Sequence, residues 1–222
     1  MPDPTPIPPR PFNPPPRLVD TRLPPPGYVP VTITRGFQAT YGNLDAVERP
    51  WGPDRARLVE ELLSHDETLE NAHWDWRNKA RRPKDWHCIA TVECDNQTQG
   101  IMAIENLLRR SELTPNTWLL YVDILEAAPW NYRVPQDRNK PVVREARYKG
   151  VGTLLLGEAI RMSIGTTAGG RVGLHALPQA EHFYEHSGMT RIGPDPNCYN
   201  LVYFEYPDGV AAIQLTSMGL SI

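Results

Sequence analysis

The segment Arg147-Tyr148-Lys149-Gly150-Val151-Gly152, running into Thr153-Leu154-Leu155-Leu156-Gly157-Glu158-Ala159-Ile160, carries the clearest chemistry in the chain. It reads as a basic, glycine-bearing turn that opens an amphipathic helix. Val151, Leu155, Ala159 and Met162 recur on one face at helical spacing, and Gly165 is placed to end the helix. Glycine lets the backbone turn tightly and bring its N–H groups close to a ligand. The helix start adds roughly half a positive charge, and Arg147 and Lys149 add their own. Such a site suits a pyrophosphate, held by Arg147, Lys149, Gly150, Val151, Gly152 and Thr153. Taken alone, Arg-x-x-Gly-x-Gly is as consistent with an ordinary helix start, so its surroundings decide.

Before the turn lies a strand-like run, Trp118-Leu119-Leu120-Tyr121-Val122-Asp123-Ile124-Leu125. After the helix comes another, Arg171-Val172-Gly173-Leu174-His175-Ala176, then a short helix around Phe183-Tyr184 and the breaker Ser187-Gly188-Met189. This order resembles the GNAT superfamily of acyl-CoA-dependent N-acyltransferases, over about residues 31–206. Both halves of that family's signature stand here, as Arg147 to Gly152 and as Tyr184 to Met189. The resemblance implies an α/β (α+β) fold: a mixed, mostly antiparallel central sheet with a splayed strand pair and flanking helices. It implies acetyl-CoA as co-substrate and no metal. It assigns the backbones of Leu125 and Ala127 to the pantetheine arm and the thioester carbonyl, and Tyr184 to the general acid near the sulfur. One departure stands out: the family often has Asn seven residues before this Tyr, and here that residue is Leu177.

Transfer from a thioester to an amine needs a route for the amine's proton, because a free lysine-type amine has a pKa of about 10.4. It needs N–H donors for the oxyanion and an acid for the thiolate. Asp123 and Glu126 are carboxylates on the key strand, on opposite faces by its alternation. Members of the resembled family with a strand base place it an even number of residues before the polarising amide. That parity picks Asp123; Glu126, Glu105 and a water chain stay open. Trp130, Asn131 and Tyr132 follow the strand and are candidates to line the acceptor mouth, as are Trp74, Trp76 and Trp86. Tryptophan is equally common as packing.

The remaining pattern supplies the elements that must position these residues. Val29 to Phe37 reads as a first strand, Asp54 to Arg82 as helix stopped by Pro83, and Trp86 to Glu105 as a hairpin turning at Asp95-Asn96-Gln97. Asn131 to Ala146 reads as a loop, and Leu201 to Tyr206 as a last strand. Thirteen of the first thirty residues are proline, and proline lacks the N–H a ladder needs. The expected organisation is therefore a proline-rich extended arm over 1–28, an acyltransferase domain over 29–207 and an uninformative tail over 208–222.

A net charge of -3 and pI near 6.1 give no general pull toward nucleic acid or anionic membrane. The run Arg77, Lys79, Arg81, Arg82, Lys84 is better explained by a helix C-terminus. No apolar run reaches the roughly 20 residues of a membrane span. The first residues lack the pattern of a secretory leader. Cys88, Cys94 and Cys198 lack metal spacing and read as reduced thiols, so a cytoplasmic location is expected. His182-Phe183-Tyr184-Glu185-His186 matches the inverted zinc-peptidase motif H-x-x-E-H, but Ser187-Gly188 ends that helix at once. The expectation is an N-acyltransferase moving acetyl from acetyl-CoA to a small-molecule or peptide amine, with a homodimer left open. The rival is a non-catalytic acyl-CoA-binding protein recruited through its proline-rich arm.

Overall fold

The computed structural model describes residues 12–37, 40–79, 86–105, 107–207 and 209–220. Its strands are β1 Arg17–Asp20, β2 Tyr28–Pro30, β3 Thr32–Phe37, β4 Trp86–Cys94, β5 Gln97–Glu105, β6 Arg109–Arg110, β7 Trp118–Ala127, β8 Tyr148–Lys149, β9 Val172–Ala176, β10 Thr190–Asp195 and β11 Leu201–Glu205. Its helices are α1 Tyr41–Leu63, α2 Trp76–Lys79, α3 Val151–Ile164, α4 Glu181–His186 and α5 Ala211–Ser217. The result is the mixed, mostly antiparallel sheet with flanking helices expected from the sequence. The chain divides into two compact units. The first holds 16–103 and 124–155; the second holds, of the described residues, 12–15, 104–123 and 156–220. Strands β5 and β7 and helix α3 run from one into the other.

In the first unit, β3, β4, β5 and the end of β7 are successive neighbours, and β2-β1-β8 form a smaller sheet. Asp95 and Asn96 close the β4–β5 hairpin with φ of 54° and 56°, the left-handed pair that a two-residue turn needs. Helix α1 begins well before Asp54, where the sequence reading starts it. Thr40 caps it by accepting the N–H of Asn43 at 3.2 Å. Leu44, Val47, Trp51, Arg55, Leu58 and Leu62 form a buried stripe at helical spacing. Pro50 and Pro53 lie inside the helix, each an interior cost of about 3 kcal/mol. That cost hid the first half of the helix from a propensity argument, and burial of the stripe offsets it. The helix stops at Leu63, with Asp66 at φ 60°, well before Pro83. Residues 80–85 lie outside the described residues.

The arm is also different from its expectation. Between its proline clusters, Arg17 to Asp20 keep their N–H groups, and they pair with β2 on one side and β8 on the other. Residues 1–11 lie outside the described residues. The expected first strand is two strands, because Tyr28–Pro30 pairs with β1 whereas Thr32–Phe37 pairs with β4.

In the second unit, β10, β11, β9 and the start of β7 are neighbours in that order. The β7–β9 pair is parallel, with Leu120, Tyr121 and Val122 opposite Val172, Gly173 and Leu174. Residues Asp123 to Ala127 lie beyond the last of these pairs. The tail contains α5, and Leu215 and Leu220 are buried. A Cβ on Gly157 would stand 2.5 Å from Leu220, so that glycine lets the tail lie against α3. Arg161, also on α3, stacks on the ring of Phe12 from the arm, 4.1 Å from its centroid.

Candidate functional site

The basic turn is held by its neighbours in the first unit. Lys149 and Tyr148 pair with Val19 and Asp20 of β1. The Thr21 hydroxyl donates to the Ala146 carbonyl at 2.8 Å, and its N–H to the Arg147 carbonyl at 3.1 Å. From the short turn Pro129–Asn131 that follows β7, the Asn131 side-chain oxygen accepts the Tyr148 N–H at 3.0 Å, and the Trp130 carbonyl accepts the Arg147 N–H at 2.9 Å. Gly150 then turns the chain at φ 98°, a conformation open to glycine and strained for others. The first helical bond runs from the Leu154 N–H to the Gly150 carbonyl at 3.0 Å. The N–H groups of Val151, Gly152 and Thr153 precede it and have no intrahelical acceptor. Gly100 on β5 lets the helix start lie this close: a Cβ there would stand 2.3 Å from Val151. No spacing in the sequence marks Gly100 for that task.

Every cation of the turn has a carboxylate beside it. Arg147 pairs with Asp95 at 3.1 Å and Lys149 with Glu145 at 2.8 Å. Arg22 pairs with Asp20 at 2.6 Å and donates to the Tyr148 hydroxyl at 2.9 Å. The hydroxyl donates in turn to Asp95. Arg22 holds the Asp20 carboxyl below its usual range, and the Tyr148 hydrogen bond does the same for Asp95.

At the end of β7, Leu125 and Ala127 lie on the partly open face with exposed Asp123, and Ile124 and Glu126 on the buried face. The expected alternation therefore holds. Glu126 is filled by core donors: Arg55 at 3.2 Å and Asn71 at 2.9 Å on Oε1, and the Trp76 indole at 2.6 Å on Oε2. Arg55 also pairs with Glu48 at 2.5 Å, and Glu48 accepts the Trp76 N–H at 3.1 Å. All five are buried. Burial pushes Glu126 up against the pull of Arg55 and Trp76. Losing one partner of a buried pair costs about 3–5 kcal/mol, so this cluster ties α1 and α2 to the strand end.

Trp130 and Asn131 meet at Gln99. The Trp130 indole donates to the Gln99 side-chain oxygen at 2.8 Å, and the Asn131 amide to the Gln99 carbonyl at 3.1 Å. Together with their bonds to Arg147 and Tyr148, this makes them a bridge between β5 and the turn. Tyr132 packs with Leu58, Leu62, Leu69 and Val134. Trp76 is wholly buried, and Lys79 sits 4.3 Å from the centroid of Trp74. Of the basic run, Arg77 pairs with Asp75 at 2.8 Å; Arg81, Arg82 and Lys84 lie outside the described residues.

Tyr184 lies in the second unit on α4, buried beside Phe183 and Phe204. Burial alone pushes its phenol well above the ordinary range, so it stays protonated and able to donate. Leu177 precedes the short turn Pro178–Ala180 and offers no side-chain cap. The histidines of the H-x-x-E-H run bond locally, His186 Nδ1 to the His182 carbonyl at 2.9 Å. Among the described residues no group of three His, Cys, Asp or Glu is gathered for a metal, and no helix is long and apolar enough to cross a membrane. The sequence reading missed a relay in this unit. The Tyr121 hydroxyl lies 2.6 Å from His175 Nδ1, and His175 Nε2 lies 3.1 Å from Asp195. These three residues come from β7, β9 and β10, and no sequence spacing unites them.

A basic glycine turn that opens α3, carried on a mixed, mostly antiparallel sheet with flanking helices, defines the class: a mixed α+β domain. No family model matches the chain, and no curated protein does. Among solved structures it is similar to the PaiA N-acetyltransferase of Thermoplasma acidophilum in complex with coenzyme A, at 13% identity and TM-score 0.45, covering 79% of this chain and 98% of that one. It is similar to a GNAT-family acetyltransferase of Desulfovibrio desulfuricans, at 15% identity and TM-score 0.43, covering 79% and 97%. It is also similar to the Bacillus subtilis N-acetyltransferase YlbP in complex with coenzyme A, at 13% identity and TM-score 0.44, covering 80% and 97%. These are likenesses of fold, and one fold hosts many functions. Function has to be argued from the residues of this chain.

Proposed function

We propose that the chain is an acetyl-CoA-dependent N-acetyltransferase acting on a primary amine of a small molecule or peptide. The observation that carries the reading is the turn itself. Gly150 delivers the N–H groups of Val151, Gly152 and Thr153 at a helix start, with Arg147 and Lys149 beside them. That set suits the pyrophosphate of a coenzyme A. The backbones of Leu125 and Ala127 take the pantetheine arm and polarise the thioester carbonyl. The amine nitrogen attacks that carbonyl carbon and the carbon–sulfur bond breaks. Tyr184 gives its proton to the departing thiolate, and Asp123, through water, receives the proton the amine loses. Glu126 keeps its place in the buried cluster, and Trp130 and Asn131 hold the turn that holds the cofactor. A cytoplasmic location accords with three unpaired cysteines.

The test is calorimetric titration of the full chain with acetyl-CoA beside a matched titration with ATP. Saturable binding of acetyl-CoA alone is expected, and Gly150→Val should weaken it at least about tenfold, since a β-branched residue resists positive φ. A variant that still folds and binds as the parent does would sink the phosphate-turn reading. A panel of amines should then release free thiol. Binding without any thiol release would favour the non-catalytic acyl-CoA-binding protein instead.

A further inference from the structure

The first unit contains a second candidate site that the acyl-transfer reading does not use. A pocket of about 350 Å3 lies between α1 and the strands β3, β4 and β5, within the size range of small-ligand sites. The strand register sets Thr34 opposite Thr91, and both line it. Thr91 is fully buried, and among the described residues its hydroxyl oxygen has no hydrogen-bond partner. Buried polar atoms are rarely left so. Beside it stands Glu93, which accepts the Thr98 hydroxyl at 3.0 and 3.2 Å on its two oxygens. Among the described residues no lysine, arginine or histidine lines the pocket. The indole of Trp51 and the side chain of Val47 form an apolar wall.

Among the described residues the hydroxyl is unpaired and the carboxylate has no cation, and with an aliphatic–aromatic wall they have one common complement. We propose that this pocket binds a small primary ammonium ion with a short aliphatic body. The ammonium donates to the Glu93 carboxylate and to the Thr91 hydroxyl oxygen, and the hydrocarbon lies on Trp51 and Val47. Charge-assisted bonds of this kind are stronger than neutral ones, and the ligand satisfies the orphaned oxygen. Binding needs no acetyl-CoA, so the proposal stands apart from the transferase reading.

The experiment is calorimetric titration of the full chain, without acetyl-CoA, using butylammonium chloride and, at matched ionic strength, 1-butanol. Saturable binding of butylammonium alone is expected. Glu93→Gln keeps an acceptor for Thr98 and should weaken binding about tenfold or more. Thr91→Val should also weaken it, with a melting temperature no lower than the parent's, because it removes an unpaired buried hydroxyl. Absence of saturation, equal binding of 1-butanol, or a folded Glu93→Gln chain that binds as the parent does would each overturn the proposal.

Discussion

Tyr184 and Glu126 show how burial separates residues that look alike in the sequence. Each is a titratable group on a predicted element, and each is buried. Glu126 receives three donors and is spent on holding α1, α2 and β7 together. Tyr184 is pushed up by burial alone, so it keeps its proton at neutral pH, and the proposed reading uses that proton at the leaving thiolate. Tyr184→Phe should therefore slow amine acetylation by about 100-fold while leaving acetyl-CoA affinity within about twofold. Single-turnover rates and calorimetry together check this, and an unchanged rate would remove Tyr184 as the acid. The candidacy of Tyr184 was legible in the sequence through its place in a signature. The fate of Glu126 was not, since Arg55, Asn71 and Trp76 come from separate parts of the chain.

At the scale of elements, the proline-rich arm changes its meaning. Its chemistry was readable: a proline has no N–H to give a ladder, and Pro14 to Pro16 and Pro24 to Pro26 lie outside the strands. What the composition concealed is the short run between them. Arg17 to Asp20 makes the edge against which Tyr148 and Lys149 are laid, and Leu18 lies under Gly150. Deleting residues 1–22 should then weaken acetyl-CoA binding by at least about tenfold, whereas a free tail would leave it unchanged. Calorimetry on the truncated chain decides, with its far-ultraviolet dichroism as the check that the rest has folded. Helix α1 teaches the same lesson in reverse. Pro50 and Pro53 argue locally against helix, and the buried stripe from Leu44 to Leu62 overrules them because tertiary burial outweighs propensity.

For the whole molecule, acid should act in two stages. Burial pushes His175 below its ordinary 6.5, so the unfolded chain takes up that proton before the folded one does. The contribution is fully present above about pH 6.5 and is lost as pH falls through the lowered folded value. Asp20 and Asp75 are held below 3.8 by Arg22 and Arg77. Their contribution is present above that value and disappears at lower pH. The melting temperature should therefore decline first just below pH 6.5 and again below about pH 4. In a His175→Gln chain the first decline should vanish while the second stays. Retention of the first decline would show that His175 does not cause it.

Local chemistry wrote the turn, the strand that precedes it, the hairpin at Asp95-Asn96 and the Tyr-to-Met signature directly into the sequence, because glycine, proline and period-2 alternation act over a few residues. From those pieces alone only α/β or α+β followed, and the family resemblance they carry implied the mostly antiparallel sheet. The partners of each piece were decided in space. Gly100 beneath Val151, Asn131 against Tyr148, β1 beside β8, and the Tyr121–His175–Asp195 relay join residues far apart in the chain. Such contacts depend on which surfaces can be buried together, and that is a property of the packed chain rather than of any short stretch of it.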